Sequence, residues 1–308
     1  MPMLSRRSFL RIASASAATL PFLPSLLRAG PSTLQAADFE TLRRGVGTFT
    51  ARGGTIRWLV RDGAVVVIDS QFPDAAQTCW NDLPEREGQS LDLFINTHHH
   101  GDHTAGNGVF AEHTDRLVAH ANVPDLQREA ANEGEAESLT YPTETYTDTW
   151  SESIGDETIR LHHNGPAHTG GDTVIHFEEA NVAHVGDLVF NRVYPFIDID
   201  GGALTTNWIS TLETLHDTFD DDTIVIHGHG APDAGITGGR EDLLVMRDFL
   251  AGLNEFVAQA LEEGQSIDEI ADQEQLPGFE EYAREDWPLP LEACLRAVHR
   301  EQTGGGNA

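Results

Sequence analysis

Thr97-His98-His99-His100-Gly101-Asp102-His103 follows directly on the short apolar run at 91–96. A run of that length, rich in Leu, Phe and Ile, reads as a buried strand, and it empties into the histidines. Side chains two apart at a strand end point to the same side, so His98 and His100 can grip one cation. His99 points the other way and is not expected to be a ligand. Asp102 and His103 sit on the turn beyond, placed for a second cation. Several imidazoles and a carboxylate converging in a fold interior are costly to bury without added positive charge.

Three later segments supply matching groups. Gly165-Pro166-Ala167-His168-Thr169-Gly170-Gly171-Asp172 sets a histidine in a glycine-rich loop after a strand. Val185-Gly186-Asp187-Leu188-Val189-Phe190 ends a strand in a carboxylate, and Ile226-His227-Gly228-His229-Gly230 ends the last strand in histidines flanked by glycine. Loops at strand ends are where sites assemble.

Outward from these stations, alternation predicts a hairpin at 55–60 and 64–68, turned by Arg61-Asp62-Gly63 and ending at Asp69. Further strands are expected at 116–121, 157–162, 173–177, 182–185 and 223–226. Helices are expected at 74–86, 124–132, 207–219 and 240–263, with shorter ones near 267–273 and 291–301. The polar stretch 133–152 reads as a loop or edge strand. Strands, a helix, strands again and a helical end suggest a layered α/β sandwich rather than a doubly wound sheet.

Composition narrows the chemistry. The 308 residues carry 50 Asp+Glu against 19 Lys+Arg, a formal charge of -31, and all 19 basic residues are arginine. Without lysine there is no P-loop lysine, Schiff base or lysine general base. Nucleic acid and anionic membrane faces are repelled by this charge. A lysine-free acidic exterior is the pattern expected of a halophilic protein, in brine that screens self-repulsion. Two cysteines, Cys79 and Cys294, exclude a cysteine zinc ribbon or iron–sulfur cluster, so any metal site is built from the 15 histidines and the carboxylates.

Residues 1–36 read as a signal peptide. Ser5-Arg6-Arg7-Ser8-Phe9-Leu10 resembles a twin-arginine export signal, and the apolar stretch after it is broken by Pro21 and Pro24, too short to span a bilayer. The expectation is a periplasmic or secreted protein that meets the twin-arginine (Tat) export machinery and has no stable membrane insertion after signal removal. Its loss leaves 15 arginines against the 50 acids, a charge of about -35.

His-x-His-x-Asp-His, followed in order by single His, Asp and His stations, resembles the metallo-β-lactamase-fold hydrolase superfamily over about 47–230. The resemblance implies a four-layer αββα metallo-β-lactamase sandwich for residues 37–308, with additional helices in 240–301. It implies His98, His100 and His168 on a first zinc, Asp102, His103 and His229 on a second, and Asp187 bridging them. Asp69 matches the family's buried aspartate, which supports the ligand loop from behind. The cofactors expected are two Zn2+ per chain, on ligands that also accept iron or manganese. In such a site a metal-bridging hydroxide attacks an electrophilic centre, with Asp102 orienting it and handling its proton.

Departures refine the expectation. Lactamases of this fold place Cys or Ser where this chain has Asp187. A bridging aspartate is instead the habit of glyoxalase II-like thioesterases, lactonases and phosphodiesterases. Glyoxalase II itself is disfavoured by export and by the lack of a basic cluster near the carboxy terminus. His227 stands where the family commonly has proline. Asn191, Arg192 and Tyr194, just past Asp187, are expected to line the mouth for a small-molecule substrate. His113, His120, His162, His163, His176, His184, His216 and His299 read as core or surface residues. The resulting expectation is an exported dinuclear zinc hydrolase, β-lactamase-like, acting on an ester, lactone, thioester or β-lactam. The alternatives are a non-catalytic exported metal- or partner-binding protein of the same fold and an iron-dependent redox relative.

Overall fold

A computed structural model of the chain describes residues 38–304 apart from 52, 53 and 133; the expected signal peptide lies outside the described residues. A first sheet runs in chain order through β1 (Asp38–Arg43), β2 (Val46–Ala51), β3 (Gly54–Arg61), β4 (Ala64–Ile68), β5 (Leu93–Ile95), β6 (Leu117–His120) and β7 (Glu144–Tyr146). β1 to β4 pair antiparallel, and β4 to β7 parallel. Between them lie α1 (Pro73–Asp82), α2 (Gly101–Thr104), α3 (Asn107–Ala111) and α4 (Val123–Ala130). The second half adds β8 (Thr149–Ile154), β9 (Glu157–His162), β10 (Val174–Phe177), β11 (Val182–His184), β12 (Phe190–Asn191), β13 (Ile224–Ile226), β14 (His229–Gly230) and β15 (Thr237–Gly238). Six of these form a second sheet in the order β15-β13-β11-β10-β9-β8, while β12 and β14 pair alone and parallel. Helices α5 (Thr205–Thr218), α6 (Glu241–Glu262), α7 (Ile267–Ala271) and α8 (Leu291–Gln302) complete the chain.

Strand alternation sorts the side chains into layers. In β4, Val66 and Ile68 face a core shared with Ile159, Leu161, Ile175 and Phe177 of the second sheet. Val65 and Val67 face the other way, against Ala76, Cys79 and Trp80 of α1 and Phe110 of α3. Val174, Ala183 and Val225 show their outer faces to Trp208 and Leu212 of α5 and to Phe249, Leu250 and Leu253 of α6. Each such side chain removed from water stabilises by roughly 1.5–3 kcal/mol. The layers are helix, sheet, sheet, helix, as the resemblance implied.

The differences have local causes. The helix expected to 86 ends at Asp82 because Pro84 disfavours helical geometry at Leu83, whose ψ is 117°. The polar stretch 133–152 ends in two edge strands, β7 closing the first sheet and β8 opening the second. Among the described residues no helix is long and apolar enough to cross a membrane.

Candidate metal centre

The histidines and carboxylates picked from the sequence collect at the ends of five strands. Asp69 follows β4, His98 to His103 follow β5, His168 follows β9, Asp187 follows β11, and His229 forms β14 beyond β13. Asp187 lies in a tight turn at Gly186–Leu188, and Gly228 passes so close that an added Cβ would strike the Asp187 carboxylate.

Two adjoining clusters result. His98, His100, His168 and Asp187 form one that could hold a metal ion; Asp102, His103 and His229 form another. His100 Nδ1 lies 3.0 Å from His98 Nε2 and 3.1 Å from His168 Nε2. Asp187 Oδ2 is 3.5 Å from His168 Nε2 and 3.8 Å from His98 Nε2. On the other side His229 Nε2 is 3.2 Å from Asp102 Oδ2 and 3.3 Å from Asp187 Oδ2, and His103 Nε2 is 3.1 Å from Asp187 Oδ1. Asp187 therefore reaches both clusters.

Hydrogen bonds behind the rings set the tautomers. Thr97 Oγ1 donates to Asp69 Oδ2 (2.8 Å) and accepts from His98 Nδ1 (3.0 Å), which leaves His98 Nε2 a bare lone pair. His168 Nδ1 donates to the Phe196 carbonyl (2.8 Å), and His100 Nε2 to Asp198 Oδ2 (2.9 Å). His98 Nε2, His100 Nδ1 and His168 Nε2 are then three acceptors with no proton between them. Their separations of 3.0 and 3.1 Å, with 3.5 and 3.8 Å from Asp187 Oδ2 to His168 and His98, lie on either side of the edge of about 3.3 Å that tetrahedral coordination at 2.0–2.1 Å requires. His103 Nδ1 donates to Asp69 Oδ2 (2.8 Å), which leaves His103 Nε2 buried without a hydrogen-bond partner, as is Asp187 Oδ1. Two buried lone pairs that face each other with no proton between them fit a cation.

The electrostatics divide the two halves. Burial, with neighbouring imidazoles adding to it, pushes His98 well below its ordinary value, and His168 to about 3. Burial also opposes the charging of His103 and His229. There, however, Asp187 and Asp102 win, raising His103 well above the ordinary value and His229 to about 9. The carboxylates of that half demand a positive charge, and protons supply it when no cation does.

Around the clusters stand three residues that the sequence did not single out, Asp198, Arg57 and Trp287, and a fourth, His184, read there as core or surface. Asp198 holds His100 and lies 3.3 Å from His99 Nε2, so His99, not expected to be a ligand, joins His100 and Asp198 in a further group that could hold a metal ion. His184 Nε2 stands 3.5 Å from Asp69 Oδ2, a core histidine with a role in the support network. Arg57 is fully buried, donates to the carbonyls of Thr55 and His227, and is held at about 10 by burial against the opposing charges of Asp69 and Asp187. On the solvent side the ring of Trp287 lies 5.5 Å from that of His229. His227 is buried with Nε2 3.5 Å from Asp242 Oδ2.

Of the expected mouth residues, Asn191 lies on the strand beside His229. Asn191 Nδ2 donates to the carbonyls of Ala234 and Gly235 (both 3.1 Å), and Tyr194 packs against Phe249 and Tyr282 in the helical core. Arg192, at φ 60°, turns its charge towards Tyr282 and Asp242. Asn191 and Tyr194 are buried and hold the loop in place.

Comparison with known proteins agrees with this geometry. Residues 52–229 match the family model of the metallo-beta-lactamase superfamily. The 2,4-dinitroanisole O-demethylase subunit alpha of Nocardioides sp. (strain JS1661) is 27% identical over 185 residues, covering 57% of this chain. The matched part is 53% of that protein, about half its length. A stereoselective inverting sec-alkylsulfatase from Pseudomonas sp. superimposes with a TM-score of 0.68 at 16% identity, over 87% of this chain and 50% of that one. A metallo-beta-lactamase from Pontibacter korlensis gives 0.59 at 16% identity, over 70% of this chain and 99% of that one. Likeness at that identity is a likeness of fold.

Proposed function

The chain belongs to the metallo-β-lactamase superfamily, and on that premise we propose that it is a dinuclear metal-dependent hydrolase, exported, with zinc as its resident metal. The observation that carries the reading is the convergence of imidazole nitrogens and carboxylate oxygens at 3.0–3.8 Å, with the rings of His98, His100, His103 and His168 fixed from behind. His98, His100 and His168 would hold one cation, Asp102, His103 and His229 the other, with Asp187 between them. Bound there, the cations supply Lewis acidity and an activated water near neutral pH.

The chain's own groups do the rest. Asp102 is 13% exposed against 4% for Asp187, so it is the carboxylate that water and a leaving group can reach. It orients the attacking water, takes its proton and returns it to the departing oxygen, sulfur or nitrogen. Asp69, Thr97 and Asp198 keep the rings in the required tautomers through the cycle. The bond cleaved is an ester, lactone, thioester or β-lactam. A second reading, hydrolysis of an activated aryl ether, is favoured by the relative that acts in 2,4-dinitroanisole O-demethylation.

Metal analysis of purified protein is the first test, followed by turnover of a lactone, an aryl ester, a thioester, a chromogenic cephalosporin and 4-nitroanisole in molar salt. Close to two zincs per chain and turnover abolished by chelation are expected. Far less than one zinc, iron or manganese per chain would sink the proposal. The export signal is tested separately by replacing Arg6 and Arg7 with Lys and following the protein's location.

A further inference from the structure

The exposed hydrophobic surface is concentrated beside the clusters. Among the described residues the large hydrophobic side chains classed as exposed are Phe196, at 39%, and Leu204, at 38%. Scattered singly, such residues need no explanation. These two are not scattered: the Phe196 ring centre is 5.3 Å from that of His100 and 6.5 Å from that of His168, and Leu204 N–H donates to the Ala167 carbonyl, next to His168. On the opposite flank Trp287, partly buried, sits 5.5 Å from His229.

Both rings are held in place. Phe196 rides on a loop whose neighbours Tyr194 and Ile197 are buried, whose Pro195 carbonyl accepts from Cys294 Sγ (3.2 Å), and whose own carbonyl holds His168. Trp287 Nε1 donates to the Tyr194 carbonyl (2.8 Å), and its ring packs 6.4 Å from that of Phe190. Rigid aromatic faces on either side of a reactive centre suit a flat apolar group, because they contact it without losing side-chain freedom on binding.

The nearby charges among the described residues disfavour another class. Recognition of a carboxylate remote from the reacting bond calls for a cationic side chain at the rim. Arg192 is turned inward, Arg284 is paired with Asp233 (2.8 Å), and Arg300 is paired with Asp200 (2.5 Å). Among the described residues the partly exposed charged side chains that remain near the clusters, Asp102 and Asp198, are acidic.

From these features we infer that Phe196 and Trp287 form the two walls of the substrate site, and that it takes an uncharged aromatic substrate in preference to one bearing a remote carboxylate. The turnover part rests on the hydrolase reading; the binding part does not. One experiment has a binding arm and a turnover arm. In the first, tryptophan emission of the metal-loaded protein is titrated with 4-nitrotoluene, an uncleavable neutral ring. A saturable quench is expected, lost in Trp287→Phe, with Kd raised about tenfold in Phe196→Ala, which is about 1.4 kcal/mol. In the second, kcat/KM is compared for phenyl hexanoate, ethyl hexanoate and monophenyl adipate. Phe196→Ala should cut the phenyl-to-ethyl ratio about tenfold, and the adipate should react at least tenfold more slowly than the hexanoate. Quenching unchanged in both variants, or equal rates for hexanoate and adipate, overturns the inference. Saturable, variant-sensitive quenching without any metal-dependent turnover supports the aromatic walls and counts against the hydrolase reading instead.

Discussion

Replacing Asp69 by Ala should loosen the metal centre and the fold together. The carboxylate is fully buried and accepts from Thr97 N–H, Thr97 Oγ1 and His103 Nδ1, each at 2.8 Å. Each bond to a charged acceptor contributes about 1.5–3 kcal/mol, but three on one carboxylate do not add. Removing one partner from a buried charged network costs about 3–5 kcal/mol, so about 4 kcal/mol is the expected loss. That is a large fraction of a stability of roughly 5–15 kcal/mol. Burial alone would push the Asp69 carboxyl up, yet the charge and hydrogen bond of His103, helped by His184, hold it well below the usual carboxylate range. A depressed acid stabilises above its unfolded value of about 4 and loses that contribution as pH falls. The gap between wild type and Asp69→Ala should therefore be widest near neutrality and narrow in acid. With the His103 tautomer released, affinity for the second cation should fall about 10- to 100-fold. Urea unfolding of metal-free protein from pH 3 to 8, with calorimetric zinc titration, reads both quantities. A loss below 1 kcal/mol at pH 7 with two zincs bound at unchanged affinity would refute the role given to Asp69.

Three other outcomes follow from named contacts. Asp198→Ala removes the acceptor of His100 Nε2 and should weaken the first cation about 10- to 100-fold in a chelator competition, leaving the Asp102 cluster less affected. Glu157 is buried with Oε2 unpartnered, and burial, reinforced by Glu179, raises its carboxyl to about 7. A raised acid contributes its full stability below about 4.5 and loses it as pH climbs through 7, so Glu157→Gln should stabilise by about 1–2 kcal/mol at pH 8 and not at pH 4. Because the chain carries -31 charges, its melting temperature should rise between 0.1 and 2 M KCl, where the Debye length shrinks from about 10 Å to a few ångströms; a flat or falling profile would remove the brine reading.

Much of the candidate site was legible because strand ends confine it. His98 and His100 share a side by strand geometry, and each later station closes a recognisable apolar run. Asp198 was not legible: it lies 98 positions from His100, between Ile197 and Ile199, and its only local mark is a turn in which Oδ1 accepts from Gly201 N–H. Arg57 did carry a signal. Thr55, Arg57 and Leu59 alternate onto the face between the sheets, where a charge needs a reason. Phe196 and Trp287 show no periodicity, and only the folded loop brings them to the clusters. Asn191 and Tyr194, chosen for nearness in sequence to Asp187, are buried in the structure.

The loop 194–196 is a junction. Its three successive carbonyls bind Trp287, Cys294 and His168 in turn, two partners in the carboxy-terminal segment and one in the metal centre. The family match ends at 229, which invites drawing the catalytic unit's border there. The junction argues against that border. The carboxy-terminal segment is less an appendage than a support of the metal centre, and a chain trimmed at 240 would lose Trp287 and Cys294, the partners that hold the loop behind His168. Recombination among relatives should accordingly exchange 190–302 as one block, never the helices alone.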